Sequence, residues 1–154
     1  MKFPAIMEDM KTMLIGIDVC HAGPKSVVGF AASTNKAMSQ YYSEYIVQAK
    51  GQEIVQTQMK DSLKKAIDVF AENNNRQLPT HYIIYRDGVG DAMRDQVIHR
   101  ELTQFREAFS EVYNKAGSMP KITLVVVNKR ITQRFFVKDG RGNLLNPPNG
   151  CIID

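Results

Sequence analysis

The sequence of 154 residues has no tryptophan, only two cysteines and no apolar run long enough to form a transmembrane helix. Cys20 and Cys151 are too few for a disulfide framework, so we expect a reducing compartment and assign both side chains to packing. Glu8 and Asp9 stand where a secretory signal needs its apolar segment. These absences predict an intracellular protein, cytoplasmic or nuclear, with no membrane partner.

The composition is that of a folded protein whose basic charge is concentrated near one end. A hydrophobic fraction of 44% with 23% charged residues excludes wholesale disorder, and the length suits one core, so we expect residues 1–154 to form a single domain. Residues 1–120 carry 14 basic and 14 acidic side chains, whereas residues 121–154 carry six and two. That basic stretch indicates either a polyanionic partner or a solvated edge.

Hydrophobic patterning predicts three antiparallel strands followed by alternating helices and strands. The predicted strands cover 13–20, 26–33, 41–49, 81–85 and 122–127, with a further extended segment at 131–138. Apolar residues that recur every three or four positions predict helices over about 52–73 and 91–116. This order is typical of an α/β fold, a mixed sheet with helices packed on it. We expect the last two strands of the sheet to be buried on both faces.

Two aspartates occupy unusual places in these strands. Asp18 lies inside an apolar strand, where we expect it to be buried, and Asp87 follows the end of another. If the two strands are parallel neighbours, both carboxylates emerge at one edge, within reach of Glu53. Oxygen ligands without a His/Cys cluster favour Mg²⁺ or Mn²⁺ over zinc. The alternative is structural: Asp87 caps a turn, Asp18 pairs with Arg86, and Glu53 caps its helix.

Five sequence blocks taken together resemble the Piwi domain of the Argonaute/Piwi family, with the Piwi branch closer. The blocks are GIDVCHAG (16–23), SVVGFAAS (26–33), GQEIV (51–55), YRDGVGD (85–91) and VVVNKRITQRFF (125–136). They follow the family's order across residues 11–154 and resemble the N-terminal part of its Piwi domain. The resemblance implies an RNase H-like fold, truncated at its C-terminal side.

The resemblance also implies a catalytic site and its chemistry. Asp18 and Asp87 match the family's two catalytic aspartates and metal ligands, and Glu53 matches a glutamate that inserts to complete the site. The implied reaction is hydrolysis of a phosphodiester in a target RNA paired to a guide small RNA, assisted by Mg²⁺ or Mn²⁺. The family's fourth ligand lies further along the domain, so none is expected in this chain. The three histidines match other positions and are expected to be structural or at the surface.

Nucleic-acid contacts are implied for the basic block that follows the last strand of the sheet. Lys129, Arg130 and Arg134 match family residues that contact the guide backbone, and cations lining one edge are suited to phosphates. Base pairing to the guide would then supply sequence specificity. The aromatic residues at positions 41, 42, 45, 135 and 136 are expected in the core rather than stacked on bases.

Three function classes remain open at this point. They are a guided RNA endonuclease, a guide-binding silencing module whose carboxylates are vestigial, and another RNase H-like nuclease that acts on DNA. Asp18, Glu53 and Asp87 are all present, which favours the first class over the second, and the five-block resemblance disfavours the third. Alone, the chain is expected to be inactive, and exposed apolar residues such as Ile152 favour self-association or a protein partner.

Overall fold

The structure, a computed structural model, describes residues 11–55, 57–114, 118–129 and 131–153. The main strands are β1 (Thr12–Cys20), β2 (Ser26–Ser33), β3 (Tyr41–Gln48), β4 (His81–Asp87) and β5 (Lys121–Val127). Two long helices accompany them, α1 (Met59–Asn73) and α2 (Leu102–Tyr113). A short hairpin of β6 (Val137–Lys138) and β7 (Leu144–Leu145) follows β5 along the chain.

The five main strands form one mixed sheet in the order β3-β2-β1-β4-β5. β1 pairs antiparallel with β2, and β2 pairs antiparallel with β3. β4 lies parallel to both β1 and β5. The predicted α/β fold, three antiparallel strands followed by strand–helix–strand units, is confirmed.

Both long helices cover the same face of the sheet. Alternate residues of β1, Met13, Ile15 and Ile17, are buried on that face with Phe70 from α1 and Phe109 from α2. The intervening residues of β1 point to the opposite face, which α1 and α2 leave open. The sheet therefore has a covered face and an open face among the described residues.

Asp18 lies on the open face and is exposed, so the expectation that it is buried is wrong. Its neighbours on that face are Gly16 and Cys20, which are also exposed and give it no apolar surroundings. Cys20 and Cys151 are both exposed free thiols, so their assignment to packing is wrong as well. Apart from Leu14, the apolar residues that made this strand look uniformly buried belong to the other half of its alternation.

The first helix begins at Met59, later than the predicted residue 52. Ile54 and Val55 fit the helical spacing, but they lie in a loop and their side chains are buried there. Ile54 contacts a small cluster with Val89 and Val97, and Val55 contacts the main core. The helix was therefore predicted to start too early, because these buried loop residues happen to continue its apolar spacing. Glu53 consequently lies well before α1 and does not cap it.

The second predicted helix is a series of segments. A 3₁₀ turn (Asp91–Met93), a single α turn (Arg94–Gln96) and a π turn (Val97–Glu101) lead into α2, which ends at Tyr113. The predicted end near 116 falls within residues 115–117, which lie outside the described residues. A π turn widens the helix by one residue per turn, and such turns concentrate at functional sites. Here the turn ends on Glu101, a buried carboxylate.

Several residues expected in the core are exposed or half-exposed. In the described part of the chain β5 pairs only with β4, and its residues from Leu124 to Val127 are half-buried rather than buried on both faces. Within 131–138, strand structure is confined to Val137–Lys138. Exposed aromatic side chains, expected in the core, occur at positions 41, 45, 135 and 136. No helix among the described residues is long and apolar enough to cross a membrane.

A pair of buried tyrosines closes the core at the opposite end of the sheet from Asp87. The hydroxyl of Tyr113 donates to the carbonyl of Pro79 at 2.5 Å, and the hydroxyls of Tyr82 and Tyr113 are 2.7 Å apart. Because the single hydroxyl hydrogen of Tyr113 goes to Pro79, Tyr82 must donate to Tyr113. Burial raises the pKa of Tyr113 to about 12 and also raises that of Tyr82, so both hydroxyls stay protonated.

We expect Tyr113→Phe to cost more stability than Tyr82→Phe. Tyr113→Phe leaves the Pro79 carbonyl and the Tyr82 hydroxyl without partners, about 2 kcal/mol, whereas Tyr82→Phe removes one donor, about 1 kcal/mol. Urea unfolding of both variants and of the double variant measures this, and the double variant should cost less than the two single costs added. Equal costs for the two single variants would contradict the assigned donor directions.

Candidate functional site

Asp18 and Asp87 lie side by side at the carboxyl ends of β1 and β4. The last paired residues of these parallel strands are Ile17 and Arg86, and the two aspartates come directly after them. Residues side by side on neighbouring strands share a face, and the strands are about 4.8 Å apart. Both carboxylates therefore meet on the open face of the sheet. The sequence predicted that they emerge at one edge if the strands are parallel neighbours, and the strands are.

Glu53 approaches the same point from the loop that precedes α1. A Cβ added to Gly88 would lie 3.5 Å from Oε1 of Glu53 and 3.6 Å from Oδ1 of Asp18. Gly88 has a φ of +83°, a left-handed conformation that favours glycine. The turn after Asp87 thus lets Glu53 and Asp18 converge beside it without an intervening side chain.

Two side chains hold the Glu53 carboxylate. Nη2 of Arg86 donates to Oε1 at 3.0 Å, and Nε2 of His21 lies 2.8 Å from Oε2. A carboxylate only accepts hydrogen bonds, so Nε2 of His21 carries a proton. The sequence assigned His21 a structural or surface place, but it contacts a predicted site residue. Its position three residues after Asp18, just beyond the end of β1, was the signal that could have identified it.

Ser26 connects His21 to the start of the Glu53 loop. Its buried hydroxyl lies 2.8 Å from Nδ1 of His21 and accepts the amide N–H of Gly51 at 3.0 Å. The first residue of β2 therefore fixes both the imidazole and the loop backbone. The His21 ring is held on both sides, which orients Nε2 towards Glu53.

Arg86 lies under the site on the covered face of the sheet and is fully buried. Besides Glu53 it pairs with Glu101, with Nε donating to Oε2 at 2.9 Å, and Nη1 donates to the Asp87 carbonyl. Arg86 and Asp18 point to opposite faces, so the alternative in which they pair is wrong. Asp18 instead accepts the amide of Val19 at Oδ1, at 2.9 Å.

Asp87 has one paired and one unpaired oxygen. Its Oδ2 forms an ion pair with Nζ of Lys129, and its Oδ1 is buried without a hydrogen-bond partner. An unsatisfied buried oxygen is costly, and a cation at that position would satisfy it. Among the described residues, no group of three His, Cys, Asp or Glu side chains is already arranged to hold a metal. Two carboxylates are adjacent, while the third is engaged by Arg86 and His21.

One residue of the basic block, Lys129, lines a cleft that reaches Glu53. The cleft has a volume of about 790 Å³, and its walls include His21, Glu53, Lys129 and Gln133. The Arg134 guanidinium is exposed, and its Nη1 donates to the carbonyls of Ile131 and Gln133 at 2.6 and 2.9 Å. Arg130 lies outside the described residues. Lys129 thus links the carboxylates to the cleft, while phosphate binding by the block stays a prediction.

Residues 1–154 match the family described as the Piwi domain. The chain is 39% identical to Piwi-like protein 1 of Gallus gallus over 148 residues, which cover 92% of this chain and 16% of that protein. It is also 39% identical to Piwi-like protein 3 of Homo sapiens over 149 residues, 94% of this chain and 16% of that protein. The chain therefore spans 16% of the length of these relatives.

Solved Argonaute structures have the same fold. The N. crassa QDE-2 AGO MID-PIWI domains match with a TM-score of 0.71 and 33% identity, over 81% of this chain and 37% of that chain. Kluyveromyces polysporus Argonaute with a guide RNA matches with a TM-score of 0.73 and 24% identity, over 88% of this chain and 16% of that chain. The second likeness concerns the fold alone. Together they confirm the predicted mixed sheet, while the match to the Piwi domain and to the Piwi-like relatives confirms the family resemblance.

We expect Gly88→Ala to destabilise the chain by about 1–2 kcal/mol, because a Cβ is disfavoured in the left-handed region. The added atom would itself meet Glu53 and Asp18 only at ordinary contact distances. Gly16→Ala is the matched control, since Gly16 has no positive φ and nothing within 4 Å of an added Cβ. Urea unfolding should show a loss for Gly88→Ala only, and equal effects would contradict a conformational role for Gly88.

Proposed function

The chain belongs to the Piwi domain family, and from that premise we propose that it is the part of a small-RNA-guided silencing protein that carries the carboxylates for target-RNA cleavage. The observation that carries this proposal is the placement of Asp18 beside Asp87 on the open sheet face, with Glu53 arriving at the same turn. A strand-end carboxylate pair on an open sheet face is suited to a phosphodiester substrate.

The donor set fits a hard divalent cation. Asp87 Oδ1 is a buried oxygen without a partner, and Asp18 uses Oδ1 for one backbone amide, which leaves lone pairs on both carboxylates. Oxygen-only donors match Mg²⁺ or Mn²⁺, and Asp18 and Asp87 would hold the ion. When bound, the metal supplies an activated water and stabilises the leaving oxygen of the phosphodiester.

Residues around this pair position the remaining groups. Arg86 and His21 hold Glu53 so that its carboxylate stays beside Asp18, where it can accept a hydrogen bond from an attacking water. Gly88 leaves the approach free of a side chain. Because the helices cover the other face of the sheet, nucleic acid reaches these carboxylates from the open face and the cleft.

Guide and target recognition is assigned to the cleft and its basic edge. Lys129 is an exposed cation paired with Asp87, and the exposed Arg134 contacts Ile131 and Gln133 of the cleft wall. Phosphate contacts from such cations hold a duplex without reading its sequence. A guide small RNA paired to a complementary target RNA is the ligand that this arrangement serves. Sequence choice then depends on base pairing within the duplex.

A guide-binding silencing module without catalysis is the second candidate, and one observation favours it. Glu53 is already held in two contacts and Lys129 neutralises Asp87, so no three-ligand group is arranged among the described residues. In that function the carboxylates would stabilise the fold and the cleft would bind RNA. Cleavage measured together with guide binding separates the two candidates.

We expect Asp18→Ala in the intact protein to abolish guided cleavage of target RNA with Mg²⁺ or Mn²⁺, while guide affinity stays near that of the wild type. The aspartate serves the metal, whereas phosphate contacts elsewhere hold the guide. Asp68→Ala, which removes an exposed carboxylate of α1, is the control and should leave both measurements unchanged. Tight guide binding without cleavage in the wild type would leave only the silencing module.

Lys129→Ala and Arg134→Ala should have the opposite effect, weakening RNA binding more than the chemical step. Each lost phosphate contact should reduce the slope of log affinity against log salt by about one. Lys60→Ala removes a cation of α1 that is paired with Glu111, and it should leave the slope unchanged. If neither Lys129→Ala nor Arg134→Ala changes the slope, the basic block does not bind phosphates.

A further inference from the structure

Glu101 is a buried carboxylate behind the candidate site, at the end of the π turn, and 2% of its surface is exposed. It accepts hydrogen bonds from two nitrogens of Arg86, with Nε at 2.9 Å and Nη2 at 3.2 Å. Its Oε1 also accepts the amide N–H of Val55 at 2.9 Å. One side chain therefore contacts both the buried guanidinium and the loop that carries Glu53.

The guanidinium that Glu101 holds is the one that holds Glu53. Nη2 of Arg86 donates to Oε1 of Glu53 at 3.0 Å and to its backbone carbonyl at 2.7 Å. A guanidinium is a planar fork, so fixing its Nε–Nη2 edge on Glu101 also fixes the direction of its other donors. Without Glu101 the Nε–H has no acceptor among the described residues, and the guanidinium is held only by Glu53 and by the Asp87 carbonyl.

The loop itself depends on the same helical run. Gln104 donates through Nε2 to the Val55 carbonyl at 2.9 Å and accepts the Met59 amide at 3.2 Å. At its other end, the loop is held by the Gly51 amide on Ser26. Glu101 and Gln104 thus fix the backbone on the α1 side of Glu53, and Ser26 of β2 fixes it on the β3 side.

Packing alone does not require a charged pair at this position. The surroundings of Arg86 and Glu101 are apolar and include Ile84, Val97 and Phe105. A buried ion pair in such surroundings can often be replaced by apolar side chains of similar volume without loss of stability. The contacts of this pair with Glu53 and Val55 give it a second use, which is to position the loop that carries Glu53.

We propose that Glu101 is a positioning residue that keeps Glu53 beside Asp18 and Asp87 by orienting Arg86 and anchoring the Val55 amide. The catalytic consequence rests on the proposed function, because only there does Glu53 act on substrate. The positioning itself is a property of this chain and is measurable without cleavage.

The test uses three variants, which are Glu101→Leu, Glu101→Gln and a double variant that combines Arg86→Met and Glu101→Leu. Glu107→Leu, at an exposed position of α2, is the control. Global stability is measured by urea unfolding, and loop release by hydrogen exchange of the Gly51 amide, whose acceptor Ser26 no variant touches. The double variant removes both charges of the Arg86–Glu101 pair, so it should be more stable than Glu101→Leu, which leaves the buried guanidinium without that carboxylate.

We expect Gly51 exchange at least tenfold faster than wild type in Glu101→Leu and in the double variant, relative to the Ile84 amide of the core. Glu101→Gln, which keeps an acceptor for Arg86, should show a smaller increase, and Glu107→Leu none. In the intact protein, Glu101→Leu, which keeps Arg86, should lower kcat at least tenfold with KM for target RNA unchanged, the signature of a lost positioning group.

Recovery of Gly51 protection together with stability in the double variant would overturn the proposal, because Glu101 would then serve the fold alone. Wild-type Gly51 exchange in Glu101→Leu would overturn it too. Faster Gly51 exchange in a protein whose wild type does not cleave would support the positioning by Glu101 and refute the catalytic function instead. The failures of the two proposals are therefore distinguishable.

Discussion

A buried guanidinium connects the sheet to the candidate site, and much of the local architecture follows from accommodating it. Arg86 is fully buried, and an unpaired cation there would cost several kcal/mol. Two carboxylates, Glu53 and Glu101, and the carbonyls of Glu53 and Asp87 satisfy its donors. Those partners come from three separate segments of the chain. The loop before α1, the π turn and β4 must therefore meet at one point for the protein to fold.

Because side chains alternate along a strand, a buried structural cation and an exposed carboxylate can occupy consecutive positions. Arg86 points into the covered face, where it organises Glu53 from below, and Asp87 points to the open face. The same alternation on β1 buries Ile17 and exposes Asp18. Because the strands are parallel and in register, the two exposed positions become neighbours. A shift of the register by one residue would put one aspartate into the core and dismantle the pair.

The sequence predicted what depends on local pattern and missed what depends on distant partners. The bounds of β2, the helical period of α1 and the strand-end position of Asp87 all depend on neighbouring residues in the sequence, and these predictions agree with the structure. The prediction that Asp18 is buried was wrong, because an apolar run does not indicate which alternate residues of a strand face the helices. His21 and Glu101 were missed because their partners, Glu53 and Val55, lie 32 and 46 residues away. The apparent helical turn at Ile54 and Val55 has the same origin, since that loop is buried by contacts with the helical run after β4.

The balance of charge around Gly88 explains why so many carboxylates can gather at one place. Asp18, Glu53 and Asp87 converge there, and two like charges at about 4 Å repel by about 4 kcal/mol near a protein surface. Arg86 offsets Glu53 from the covered face, and Lys129 offsets Asp87 from the cleft. With Glu101 included, four carboxylates face two permanent cations, so the cluster stays more negative than positive. The remaining charge is concentrated on the open face, where a divalent cation would reduce the repulsion while the buried contacts of Arg86 stay intact.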